Sequence, residues 1–149
     1  MTIRATRLHL QAHQTTLKTA QGRNIILSVG ALSLADGFFH RDPPKPHELE
    51  HAIDAVEDAL MADHVPRAIG GSLVSSDPAL HALPGLQTSG TTLSIDQIEA
   101  PFQQLAAASL GRPGHMTDLQ QGRQAAAALL ILRECMHHLN FESASFIDY

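Results

Sequence analysis

The chain of 149 residues carries a single cysteine, Cys135. One thiol cannot close an intramolecular disulfide or build a cysteine-based zinc site. It lies in the apolar run from Ala125 to Met136, which predicts a buried helix thiol. No stretch approaches the about 20 apolar residues of a membrane span. The opening residues MTIRATRLHL hold no hydrophobic run of signal-peptide type. The expected compartment is therefore the cytoplasm, with no membrane partner. Charged residues are 17% of the chain and the formal net charge is -5, so the basic stripe of a general nucleic-acid binder is missing and no nucleic-acid partner is expected. There is no internal repeat, no low-complexity tract and no linker long enough to divide domains. No P-loop and no Gly-x-Ser-x-Gly elbow is present, so nothing supports a nucleophilic serine.

What remains fits one domain over residues 1–149. A chain of this size buries roughly 70% of the surface its unfolded form exposes, so a core needs neither disulfide nor metal. The first third reads as strands at Thr6–Leu10, Thr15–Thr19 and Asn24–Val29, with a turn at Gln21-Gly22. Short connections between them imply an antiparallel meander, and Ala31–Leu34 reads as a further short strand. Three prolines between His40 and His47 impose a loop. Leu49, Ile53, Val56 and Leu60 then form one helical stripe, with Glu48 and Glu50 in the first turn and Pro66 as the stop.

Ala68-Ile69 followed by Gly70-Gly71-Ser72 reads as a buried strand ending in a glycine turn. Ser76 or Asp77 caps a short helix, and Thr91–Ile95 reads as a strand. Ser94 and Gln97 form a capping box for a helix to about Leu110, broken by Gly111–Gly114. Thr117 or Asp118 caps a last helix to near Leu139, apolar nearly all round from Ala125 to Leu132 and therefore buried. Ala144–Ile147 reads as a final strand. A three-stranded antiparallel meander followed by alternating helices and strands is an α/β pattern.

The run from Leu27 to Val56 resembles the Ppx/GppA family of exopolyphosphatases and guanosine-pentaphosphate phosphatases. The matching elements are Gly30, Phe38-Phe39, His40-Arg41-Asp42-Pro43-Pro44 and Glu48-Leu49. Downstream, Ile69-Gly70-Gly71-Ser72 resembles the family's strand plus G-G-[TS]. Leu93–Ile98, Arg112-Pro113-Gly114 and Ala128–Leu132 resemble its later helices and turn. The order spans about residues 8 to 147. The resemblance implies the second half of such an enzyme, a ribonuclease-H-like unit of the kind actin-like ATPases use twice.

The family's phosphate turn reads D-x-G-G-G-S-T-E-L, and the ungapped match here is His9–Leu17. Gln11, Ala12 and His13 replace the three glycines, and only Thr15 and Leu17 survive. Glycines there let backbone N–H groups close on a phosphate. Losing the aspartate removes a magnesium partner that the resemblance implies. Gln120 and Gly122 stand where many members carry arginine and aspartate. The family's first domain supplies another phosphate loop and the carboxylate base, and no segment of this sequence holds either.

Two histidine patterns invite other chemistry. His47-Glu48-Leu49-Glu50-His51 fits H-E-x-x-H, but both histidines fall about 160° from Leu49 on a helical wheel and face solvent. His9 and His13, four apart, share a face if the strand is continuous and are separated if a turn falls near Ala12. His137-His138 suits the negative end of a helix.

These readings give no catalytic residue and no metal ligand. Gly70, Gly71, Ser72 and Thr15 are the candidate ligand contacts, for a phosphorylated ligand. No cofactor is expected. The expectation is a catalytically degenerate relative acting by binding or regulation, with a partly apolar cleft-facing surface that pairs with a second copy or another protein. The alternative is a phosphatase acting on polyphosphate or guanosine pentaphosphate with Mg2+, completed by oligomerisation or by a separate first domain.

Overall fold

A computed structural model describes residues 5–41, 44–81, 90–111 and 122–147. The order is β1 (Ala5–Leu10), β2 (Thr15–Lys18), β3 (Asn24–Leu27), α1 (Ala31–Phe38), α2 (Pro46–Leu60), β4 (Ser72–Ser75), α3 (Pro78–His81), β5 (Thr92–Ser94), α4 (Ile95–Ser109), α5 (Arg123–Leu139) and β6 (Ser143–Phe146). The strands form one sheet in the order β3-β2-β1-β4-β6-β5. The meander is antiparallel, with Leu8 opposite Leu17 and Leu17 opposite Ile25. β1, β4 and β6 run parallel to one another, and β5 returns antiparallel on the outer edge. The expected α/β class and meander are what the chain adopts.

Alternation decides which face is buried, because successive strand side chains point to opposite sides. Leu8, Leu10, Leu17, Ile25, Leu27, Leu73, Leu93, Ala144 and Phe146 line the inner face and are buried. The outer face shows Arg7, His9, Lys18, Asn24, Thr92 and Ser94 to solvent. The helices gather around α5, which α1, α2, α3 and α4 all contact. That explains why every residue from Ala126 to Leu132 is buried. Cys135 is buried with them, and burial pushes its thiol up to about 12, with Glu134 adding to the rise.

Three expectations need correction. Ala31–Leu34 is not a strand but the start of α1, whose buried Ala31, Leu34 and Ala35 recur at helical spacing. α2 ends at Leu60, well before Pro66, with Met61 as its cap. The strand expected at Ala68-Ile69 begins instead at Ser72. Gly70 and Gly71 take φ of +77° and +80°, which breaks extension before the register with Ala5 and Ser143 is reached. His137 and His138 do fall in the last turn of α5, as expected, and left-handed Asn140 caps it, its N–H donating to Met136 O. The caps proposed at Thr117 and Asp118 lie outside the described residues. Ser94 and Gln97 do form the capping box, at 2.9 and 3.2 Å.

The first turn of α2 is held by Glu48, which is 3% exposed. Its carboxylate accepts from Lys45 N at 2.8 Å and His40 N at 2.9 Å. The Lys45 bond chiefly holds its pKa below the usual carboxylate value, against an opposing push from burial. A depressed folded-state pKa contributes stability above the unfolded-state value, and that contribution is lost as pH falls through the folded-state value. Glu48→Gln should therefore cost about 1 kcal/mol at pH 7, the size of a lost cap. The gap from the parent should close as pH drops below about 4.3. Urea midpoints at pH 7 and at pH 3 check this, and a gap that widens in acid would refute it.

Candidate functional site

In open α/β sheets, ligands bind outside the carboxyl ends of the parallel strands. Here that edge carries the β1–β2 turn at residues 11–14, Ser75–Asp77 after β4, and Ile147 after β6. The turn closes on itself through Gln11 N to Gln14 O at 2.9 Å. Side chains add to it, with Gln14 Nε2 donating to Gln11 Oε1 at 2.8 Å.

The turn also closes on its neighbour. Ala31 N donates to Gln11 O at 3.1 Å and Ser33 N to Ala12 O at 2.9 Å. The first amides of a helix are the groups that an anion would otherwise receive. In α1 two of them are occupied by carbonyls of the turn that the sequence resemblance lays on a phosphate loop. Ser33 Oγ completes the arrangement by accepting from Gly30 N at 3.0 Å. A Cβ on Gly30 would lie closer than 3.0 Å to Ala12 O and Gln11 O, so turn and helix are in backbone contact.

Asp77 is the carboxylate that sequence reasoning treated only as a cap. It is 7% exposed and its Oδ2 accepts from Leu10 N at 2.8 Å and Ser75 Oγ at 3.0 Å. Its other oxygen faces His9 Nδ1 at 3.2 Å. Asp77 thus latches the end of β1 to the end of β4. The only hint in the sequence is the order strand, Asp, Pro, helix, which reads as a cap.

The four sequence-based contacts do not converge. Thr15 opens β2 at this edge, but its hydroxyl is buried and donates to Val29 O at 2.7 Å. Ser72 pairs with Ala5 and Leu10 with Thr15. Five strand residues therefore separate the glycine turn from Thr15, roughly 17 Å. Gly70 N donates to Leu139 O at 3.0 Å and Gly71 O accepts from Glu142 N at 2.8 Å. The glycine pair fastens the amino end of β4 to the end of α5.

His47 and His51 are exposed, as helical phase requires, with ring centroids 6.2 Å apart. β1 ends at Leu10, so His13 lies beyond the strand that holds His9. Gly122 caps the described start of α5, and Arg123 Nη1 donates to Phe39 O at 3.2 Å.

A charged network spans α2, α4 and α5. Arg133 lies 3.9 Å from the Phe102 ring centroid and makes a forked pair with Glu99 at 2.8 and 3.1 Å. That bond chiefly holds the Glu99 pKa down. Arg133 also donates to Glu134 at 2.6 Å. Burial raises the Glu134 pKa, with Arg133 opposing and Glu57 adding to the rise. His137 meets Glu99 at 3.6 Å, and His138 lies between Glu57 and Glu134 at 3.2 and 3.7 Å.

No family model and no curated protein sequence matches the chain. Solved structures do match its fold. The Aquifex aeolicus PPX-GPPA enzyme aligns over 98% of this chain and 54% of its own, with a TM-score of 0.73 at 18% identity. The type II variant of the Aquifex aeolicus Ppx/GppA phosphatase covers 100% of this chain and 54% of its own, at 0.75 and 15%. An exopolyphosphatase from Cytophaga hutchinsonii covers 99% and 54%, at 0.67 and 12%. The chain spans about half the length of each. Over its whole length, then, this chain is similar in fold to about half of a Ppx/GppA protein, with the ribonuclease-H-like architecture of that group.

Proposed function

We propose that the chain is a catalytically degenerate, one-domain relative of the Ppx/GppA phosphatases and works in the cytoplasm as a binding or regulatory protein. The observation that carries this reading is the closed turn. Ala31 N and Ser33 N, amides at the start of α1 that an anion would otherwise meet, are bonded to the Gln11 and Ala12 carbonyls, and Gln11 N is bonded within the turn. Catalysis of phosphoryl transfer rests on positioning and charge stabilisation, which a turn without glycine, its Gln11 and Ala12 carbonyls spent on α1, is poorly built to supply.

The partner surface best suited to binding is the outer face of the sheet. Arg7, His9, Thr16, Lys18 and Asn24 line a shallow basin of about 350 Å³ there. Lys18, exposed at the rim of this basin, suits an anionic partner. An apolar pairing surface has less support. Among the described residues, the large exposed apolar side chains are Ile26 on β3, Met61 at the cap of α2 and Leu110 at the cap of α4.

The test is one titration with two readouts. Polyphosphate and guanosine pentaphosphate are added with Mg2+ while melting temperature and released phosphate are followed. Binding without turnover, weakened several-fold in Lys18→Glu, is the expected result. Phosphate release by the unmodified chain would instead establish the phosphatase alternative.

A further inference from the structure

Glu57 on α2, with Glu134 and His138 on α5, each bring one ligand atom to within 4.8 Å of the others. Glu134 and His138 stand four residues apart on one helical face, the spacing at which side chains meet. Glu57 reaches them from a separate helix, so tertiary packing assembles the trio.

The distances suit a cation better than a proton. His138 Nε2 is 3.2 Å from Glu57 Oε2 and 3.7 Å from Glu134 Oε1. An imidazole nitrogen carries one proton at most and donates to one acceptor. It serves Glu57 at hydrogen-bond distance, while the Glu134 oxygen lies too far for such a bond. An ion between the three atoms would serve all of them. Ligands about 2.1 Å from a tetrahedral zinc ion stand roughly 3.4 Å from one another, and the two observed separations bracket that edge.

The surroundings fit as well. Glu134 is 4% exposed and its second oxygen is fixed by Arg133, which orients the first oxygen toward the trio as outer-shell partners of ligands do. His138 also borders a groove of about 360 Å³ with Met61, Asp63 and Arg67. That groove gives solvent or a fourth ligand a way in.

We infer that Glu57, Glu134 and His138 form a three-ligand site for a divalent transition cation, with its fourth position open to the groove. Two carboxylates and one imidazole suit zinc and similar ions better than magnesium or calcium, which prefer oxygen alone. The site lies away from the closed turn and does not depend on the binding role proposed above. Its consequence is a tie between α2 and α5, and binding to the folded form alone raises the melting temperature.

Calorimetric titration of the metal-stripped full chain with ZnCl2, and separately with MgCl2, tests the site. One zinc per chain is expected, with no comparable magnesium binding. Glu57→Gln and His138→Ala should each weaken zinc by about 100-fold. Both side chains are partly exposed, at 41% and 29%, and circular dichroism checks that each variant is folded. The paired His47→Ala, His51→Ala variant should keep full affinity. Undiminished zinc binding in Glu57→Gln, or loss of binding in the His47/His51 variant, would overturn the assignment.

Discussion

Gly30→Ala should lower the melting temperature by roughly 10 °C. The cause is not backbone strain, because Gly30 has φ of -127° and ψ of 169°, open to any residue. It is contact. The added methyl would lie closer than 3.0 Å to Gln11 O and to both Ala12 C and Ala12 O, and these are backbone atoms with no rotamer to yield. The β1–β2 turn must move off α1, which breaks the bonds from Ala31 N and Ser33 N. Overpacking costs about 1–3 kcal/mol and each of the two lost hydrogen bonds about 1 kcal/mol, so about 3–5 kcal/mol is expected in total. At about 2–4 °C per kcal/mol for a domain of this size, that gives the stated shift. Scanning calorimetry measures it, with Gly37→Ala as the control. Gly37 lies inside α1 with nothing within 4 Å of an added Cβ, so its replacement should stabilise by about 0.5–1 kcal/mol. Equal effects at the two sites would sink the contact argument.

Asp77→Ala is the second large effect, with an expected loss of about 3 kcal/mol. Removing the carboxylate leaves Leu10 N and Ser75 Oγ without the acceptor that both now use. Leu10 and Ser75 are buried, and an orphaned buried donor costs about 1–3 kcal/mol. Asp77→Asn keeps one carbonyl oxygen and should lose about half as much. Urea unfolding measures the ranking, and amide exchange at Leu10 locates it. The latch reading fails if the alanine variant unfolds within about 0.5 kcal/mol of the parent, the range of a neutral surface change.

Much of the fold was legible because its signals are local. Alternation in Thr6–Leu10, the stripe Leu49–Leu60, and the reciprocal pair Ser94 and Gln97 each lie within a few turns of chain. The misses share a different origin. α1 is short, carries Asp36 and Gly37, and takes its first hydrogen bonds from Gln11 and Ala12. Its start is therefore set by a distant turn that periodicity does not contain. Gly70-Gly71 was read as the end of a strand because a glycine pair marks an interruption without a direction. Only register with Ala5 and Ser143 shows that the strand follows. Asp77 looked like a cap because its partners at Leu10 and His9 are far away in sequence. Of the trio at the end of α5, only the spacing of Glu134 and His138 was visible, and Glu57 joins them through packing alone.

The sheet order has a bearing on biosynthesis. Among the described strands β6 comes last in sequence, yet it lies between β4 and β5, and the helix just before it is the hub on which the other helices pack. A ribosome releases chain at about 5–20 residues per second. During that time the growing polypeptide has an open β4 edge and an apolar inner face with no central helix to cover it. Commitment to the native topology must wait until α5 and β6 have emerged, and until then β4 keeps an unpaired edge.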